Sequence, residues 1–245
     1  MKIEVNEKIK WMITIAFIIL SMGIVISMMI VYHYSGEINM PFEIDKILIV
    51  SSADGKNKSK DEAKWDIDIN LYNDIYLKIS RNKEFKGTEY LKSVRIDNLS
   101  VVDNKDKEVH FYMPNSKPDE SLFEYDKLYL FNNSLTYTAG VIDDPKTLKI
   151  GNQGGTLIFR TAKENVGNFS IDSKESIKYD GTLLKKANIS SDSLKYSIKF
   201  DLIIETSEVK YKTTLSYDLP IGKLEDDGTS KFYDEECKNI VFKRI

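Results

Sequence analysis

The sequence is poor in the residues that usually mark chemistry. It holds one cysteine, Cys237, and two histidines, His33 and His110, in 245 residues. A lone cysteine excludes an intramolecular disulfide, so an exported domain of this chain must rely on its hydrophobic core. Two isolated imidazoles, with no His-x-x-x-His spacing and no cysteine pair, argue against the donor sets that zinc and copper take. Five prolines and 12 glycines are too few for a collagen-like stalk or a disordered linker. Neither sign of charge dominates: 35 basic residues face 38 acidic ones, a net of −3. Without a basic field, nucleic acid is not an expected partner. No Gly-x-Ser-x-Gly elbow occurs. The glycines of "IGNQGGTL" (Gly151, Gly154, Gly155) lack the Lys-Ser/Thr of a phosphate loop and read as a turn.

What the chain has instead is one long apolar run. Between Trp11 and Tyr32 lie about 22 residues without a charge, or roughly 33 Å of helix, enough to cross a hydrocarbon core of about 30 Å. Its small and polar members (Thr14, Ser21, Gly23, Ser27) form no continuous stripe, unlike the polar face of a core helix. A cleaved signal peptide is the main rival. Its apolar part is about 7–15 residues long and ends in small residues. This run is longer and ends in Val31-Tyr32-His33-Tyr34, bulky residues suited to a membrane interface. No cysteine follows for a lipoprotein anchor. The expectation is an uncleaved transmembrane signal-anchor helix over residues 11–34.

Orientation follows from lysine. Lys2, Lys8 and Lys10 precede the run, and the next basic residue is Lys46. Basic flanks stay in the cytoplasm. This predicts a short cytoplasmic tail at 1–10, a single pass through the cell membrane, and an extracytoplasmic region over 35–245. A tail of about ten residues is too short to fold. A sensor built this way would act through a partner in the membrane. Gly23 and Ser27 make a small-xxx-small pair that permits close helix approach, a spacing that also arises by chance.

The region beyond Pro41 has a period of two. In "LKYSIKFDLIIETSEVKYKTTLSYDL" (194–219), Leu194, Tyr196, Ile198, Phe200, Leu202 and Ile204 alternate with polar residues. After Glu205-Thr206-Ser207-Glu208 a second run follows: Val209, Tyr211, Thr213, Leu215, Tyr217, Leu219. This predicts an antiparallel hairpin with one buried face, closed off by Pro220. In "WDIDINLYNDIYLKIS" (65–80), Trp65, Ile67, Ile69 and Leu71 share a face, Asn73-Asp74 is a candidate turn, and Ile75, Leu77 and Ile79 return. In "PFEIDKILIV" the phase slips between Ile44 and Ile47, which predicts a bulge or break. Further strands are predicted at 94–101, 109–113, 127–131, 135–138, 147–150, 156–160, 168–171 and 240–243. "SKDEAK" (59–64) reads as a turn of helix or a loop, and 173–179 is similar. No strand–helix–strand alternation appears. The predicted fold is all-β: an antiparallel β-sandwich, either one large module or two smaller ones split near 132–145, after a single transmembrane helix.

Candidate chemistry is thin. "DNKDKE" (103–108) and the Asp226-Asp227 pair offer carboxylates, but neither matches a calcium loop, and acidic residues favour turns without any ion. Asp66 and Asp68 sit on an outward strand face. A membrane-anchored exterior β domain with a cysteine is similar in topology to sortases. Their motif is Thr-Leu-x-Thr-Cys, with a histidine before it and an arginine after it. Cys237 lies instead in "DEECKN", where Asp234, Glu235 and Glu236 oppose a thiolate, and Arg244 follows too closely. The resemblance stops at topology.

Lys195, Lys199, Lys210 and Lys212 form a stripe that either meets anionic wall polymers or lipid headgroups or simply keeps a sheet face soluble. Tyrosine is common, with 14 residues. Exposed clusters of it serve partners or glycans, whereas Tyr196, Tyr211 and Tyr217 fall at core positions. Asn-x-Ser sequons, Asn98, Asn132, Asn168 and Asn188 among them, matter only in a eukaryotic secretory route. A composition rich in Ile, Lys and Asn suggests an AT-rich bacterial genome. No catalytic, cofactor-binding or metal-ligating residue is assigned. The expected role is non-catalytic binding or scaffolding at a bacterial cell envelope, as an accessory subunit of a membrane complex. The expected partners are the membrane and an envelope protein or cell-wall polymer. The alternatives are an envelope enzyme, of carbohydrate hydrolase or sortase-like transpeptidase type, and a single-pass sensor.

Overall fold

The computed structural model describes residues 7–102, 109–115, 121–126, 130, 133–141, 144, 146–172, 178, 180–235, 237 and 240–245. The apolar run forms α1, Glu7–Ser35, 29 residues long. Polar helix formers extend it upstream of Trp11, where Glu7 and Lys10 pair at 3.7 Å one turn apart. The helix stops at Gly36, whose φ of +64° suits glycine and whose N–H donates to the Tyr32 carbonyl at 2.8 Å. None of its residues is buried. It is the one helix among the described residues long and apolar enough to cross a membrane.

The rest is mostly strand. In chain order these are β1 (Phe42–Asn57), β2 (Lys64–Arg81), β3 (Leu91–Val102), β4 (Val109–Pro114), β5 (Phe123–Glu124), β6 (Leu135–Ala139), β7 (Leu148–Ile150) and β8 (Gly154–Asp172). Then come β9 (Ser197–Thr206), β10 (Lys210–Asp218), β11 (Thr229–Asp234) and β12 (Lys243–Arg244). Two six-stranded sheets result, in the orders β11-β1-β2-β8-β4-β5 and β12-β10-β9-β3-β6-β7. Every pairing is antiparallel except β6 with β7.

The inward residues of both sheets form one hydrophobic cluster. Ile47, Ile49, Leu71, Ile75, Leu77 and Phe159 of the first sheet join Val94, Ile96, Ile198, Phe200, Leu202 and Ile204 of the second. The Phe159 and Phe200 rings meet edge to face at 5.5 Å. Each sheet takes strands from both sides of 132–145, and strands from both sides contribute to this core.

A buried polar network also links the sheets. Ser51 on β1 donates to the Asn73 carbonyl oxygen at 2.6 Å, and the Asn73 amide donates to Tyr196 at 2.7 Å and Thr161 at 3.3 Å. Thr161 and Tyr196 hydroxyls bond at 2.9 Å. Ser51, Asn73 and Thr161 are fully buried. In addition, the Tyr137 hydroxyl on β6 takes both backbone groups of Ile158 on β8, at 2.6 and 2.9 Å. It replaces the ladder partner that β4 no longer supplies past Tyr112.

Several local expectations need correction. Asn73-Asp74 is no turn: β2 runs unbroken for 18 residues, because Asn73 finds polar partners inside the core. The strands predicted at 156–160 and 168–171 are one strand, β8, with an irregularity where Asn70 and Asn165 meet; there Asn165 adopts φ +54°. The strand predicted at 240–243 pairs only at Lys243 and Arg244. Three short helical pieces were not foreseen: α2 (Thr182–Lys186), a 3-10 turn (Ser191–Leu194) and α3 (Leu224–Asp227). The phase slip near Asp45 is a register shift between Ile44 and Lys46. The predicted hairpin is β9–β10, closed by a turn over residues 206–209. Most of the strand predicted at 127–131 and most of the segment 173–179 lie outside the described residues, as do Asn132, Asp143 and the carboxylates of 103–108.

Candidate functional site

The outward face of a solvated antiparallel sheet is ordinarily polar. That of the first sheet is not. In β2 the inward set is Ile69, Leu71, Asn73, Ile75 and Leu77, so Tyr72, Asp74 and Tyr76 point outward. Register carries their neighbours into three cross-strand rows. One row is Tyr233 (β11), Leu48 (β1), Tyr76 (β2) and Ile158 (β8). The next is Lys231, Val50, Asp74, Arg160 and Tyr112, reaching β4. The third is Thr229, Ser52, Tyr72, Ala162 and His110.

Arg160 is the centre of this face. Its Nε and Nη2 donate to both Asp74 carboxylate oxygens, at 2.5 and 3.0 Å. Its guanidinium lies between the rings of Tyr72 at 4.5 Å and Phe123 at 4.2 Å. Bidentate pairing and stacking together pin the group. Beside it the Tyr112 hydroxyl donates to Glu164 at 2.7 Å, and Tyr112 meets Tyr125 edge to face at 6.3 Å. Partial burial raises the Tyr112 and Tyr76 hydroxyl pKa values, and the Glu164 and Asp74 charges add to this. Both stay as neutral phenols that can donate and accept. Sequence reading missed this cluster because no two members are adjacent in the chain; the one local signal was Tyr-x-Asp-x-Tyr at 72–76, on the face opposite to the apolar set.

The residues weighed from sequence do not converge. His110 is exposed on β4, near one edge of the first sheet, while Cys237 follows β11 at the other edge. Four strand spacings separate β4 from β11, roughly 19 Å, so the two cannot form a catalytic pair. The thiol stands 3.7 Å from the Asp234 carbonyl in the wall of a cavity of about 340 Å³ that also holds Glu43, Asp45 and Glu235. Burial, and then the Asp234 charge, push its pKa up to about 11, which suppresses the thiolate.

His33 packs edge to face on Tyr34 at 5.3 Å, at the end of α1. Of the lysine stripe, Lys212 pairs with Asp201 at 2.9 Å, Lys210 with Glu205 at 3.2 Å and Lys195 with Asp192 at 2.5 Å. Those pairs largely cancel its field. Asp66 accepts from Ser170 at 2.5 Å, Asp68 pairs with Lys58, and Asp226 and Asp227 lie in α3. Gly154, with φ +114°, lies against the Ile79 carbonyl at the start of β8. Tyr196 and Tyr211 are buried and Tyr217 is half-buried. Among the described residues no group of three or more His, Cys, Asp or Glu is placed to hold a metal.

The helix joins the body at one end. Glu37 donates its N–H to the Phe242 carbonyl at 2.8 Å, Arg244 donates its N–H to the Tyr32 hydroxyl at 3.0 Å, and the Arg244 guanidinium pairs with Glu37 at 3.2 Å. The aromatic face begins six residues into β1, at Leu48, and extends to Ser52, so along the strand it lies roughly 20–30 Å from that joint.

The chain matches no family model, no curated protein and no solved structure.

Proposed function

We propose that the chain is a single-pass membrane protein whose β-sandwich body stands outside the cytoplasm of a bacterial cell. In this reading it is a non-catalytic binding or scaffolding module of the envelope, with the tyrosine-rich face of the first sheet as its binding surface. The observation that carries the anchor is the complete exposure of α1. Its apolar side chains, from Trp11 to Tyr34, touch no core. A helix that is apolar all round needs a hydrocarbon solvent. The lysines that precede the run support a cytoplasmic start.

The binding reading rests on the face itself. Its central arginine is pinned, and its carboxylates are occupied by Arg160 and Tyr112 rather than poised for acid–base work. The test is topological. Alkaline phosphatase fused after Ile245 is expected to be active, a green fluorescent protein fused there dark, and the chain uncleaved by mass spectrometry and resistant to carbonate extraction. An active cytosolic reporter, or a mature chain beginning after Tyr34, would refute the anchored reading.

A further inference from the structure

We infer that the outward face of the first sheet binds an uncharged glycan, laid across the strands on a line of tyrosine rings. This rests on the binding-module reading above and names its ligand class. Tyr233 and Tyr76 occupy one cross-strand row with Leu48 between them, two strand spacings apart, or roughly 10 Å. Tyr112 stands two further strands across and two residues along, roughly 12 Å from Tyr76. Tyr125 extends the line beyond Tyr112. Rings roughly 10 and 12 Å apart along a gently bent path, with a closer one at its end, suit a polymer whose own rings repeat.

A protein partner calls for something else, a central cluster of anchors converging on pockets. Here the rings are spread, the aliphatic residues between them (Leu48, Val50, Ile158) are half-buried, and the surface is one sheet layer.

Charge chooses the kind of polymer. Arg160, the cation at the centre, is bound through two of its nitrogens to Asp74 and lies over the rings of Tyr72 and Phe123. At the margin Lys46 pairs with Glu235 and Lys78 with Asp45. An anionic chain would therefore have to break these pairs to reach any cation of the face but Lys231, exposed on the edge strand β11. A neutral pyranose chain with equatorial hydroxyls needs only what the face offers. Its axial C–H surface stacks on phenol rings. Its hydroxyls meet the remaining lone pairs of Asp74 and Glu164 and the phenolic groups of Tyr76 and Tyr112.

The test uses the full chain in detergent micelles, titrated calorimetrically with cellohexaose and chitohexaose, with polygalacturonate as the anionic control. Binding of at least one neutral hexasaccharide is expected, unchanged between about 0.05 and 0.5 M salt. Tyr76→Ala and Tyr233→Ala should each weaken it about 3- to 10-fold, and Tyr76→Phe should keep most of it. Tyr233 is half-exposed at the sheet edge, so that variant tests the line without threatening the fold. Three results would overturn the inference: no binding of either neutral probe, binding only of polygalacturonate and falling with salt, or binding indifferent to both tyrosines. A photo-crosslinker at position 76 that captures an envelope protein, with neither sugar bound, would refute the glycan and keep the binding module. A cytosolic C-terminal reporter would sink the anchored reading while leaving the titration readable.

Discussion

Asn73→Ala is the sharpest probe of how the two sheets are held together. Asn73 is fully buried, and its amide bonds Ser51, Thr161 and Tyr196, residues 22, 88 and 123 positions away. Alanine leaves the Ser51 hydroxyl without its acceptor, and an orphaned buried donor costs about 1–3 kcal/mol. The void left by the amide adds about 1 kcal/mol. Thr161 and Tyr196 still bond each other, so their share of the loss is small. The sum is about 2–4 kcal/mol, a large part of a typical stability of about 5–15 kcal/mol. For a body of this size it should lower the melting temperature by roughly 5–15 °C. Ser51→Ala should cost less, since it leaves only the Asn73 carbonyl short of a donor. The double variant Ser51→Ala/Asn73→Ala should fall below additivity by about 1 kcal/mol, because neither orphan then exists. The assay is thermal unfolding of the full chain in micelles, followed by circular dichroism in the strand band. Burial holds the Tyr196 hydroxyl up at about 12, so the network should act alike from neutral pH to pH 9. A loss below about 0.5 kcal/mol for Asn73→Ala, or strict additivity in the cycle, would refute the reasoning.

Three further outcomes follow from the same coordinates. Partial burial tends to raise the Asp201 carboxyl, but bonds from Thr214, Lys212 and Asn98 and the Lys212 charge hold it down to about 2. A carboxyl held below its usual 3.8 contributes stability above pH 4 that is lost as pH falls towards 2. Asp201→Asn should therefore flatten the melting-temperature profile between pH 4 and pH 2; an unchanged slope would count against the pairing. Gly36 has φ +64°, and a Cβ there would lie 2.3 Å from the Phe242 carbonyl. Gly36→Ala should thus cost about 1–3 kcal/mol at the joint, seen as faster hydrogen exchange over residues 240–245; unaltered exchange would show that the joint tolerates a side chain. Cys237 should react with iodoacetamide far more slowly than free cysteine at pH 7.5 and speed up only above pH 9. Rapid labelling at neutral pH would reopen a nucleophilic role.

Long alternating runs were legible, and so was the slip at Asp45, because a period of two is a local property of chain and solvent. The β9–β10 hairpin and the inward set of β2 needed no knowledge of partners. Asn73-Asp74 misled for the opposite reason. As a dipeptide it favours a turn. Its solution in the fold is a set of hydroxyls from three distant strands and loops, which no window of sequence can contain. The break assigned within β8 failed similarly, since Asn165 sits opposite Asn70 and is bonded by it at 3.0 Å across 95 residues. The candidate site was illegible for the same physical cause. Tyr233, Leu48, Tyr76 and Ile158 become a row only once β11, β1, β2 and β8 are in register. What sequence could show was that Tyr72 and Tyr76 oppose the apolar phase, and hence face outward.

Three strands of the first sheet are much longer than the rest. β1, β2 and β8 have 16, 18 and 19 residues, against 2 to 12 for the others. The core needs only the part of each strand that the second sheet covers, and β9 and β10 cover ten and nine residues. The surplus of β1 and β8 lies instead beside Leu183 of α2 and Ile189, at Gly55 and Gly167, while the tyrosine rows sit on the part that the second sheet covers. At the foot of the first sheet, β1 leaves the helix after only six intervening residues, and the segment 240–245 bonds both Tyr32 and Glu37. A body held at two points on its stem has less freedom to tilt than one on a flexible linker. The same arrangement that fixes the foot therefore fixes the height of the tyrosine face above it.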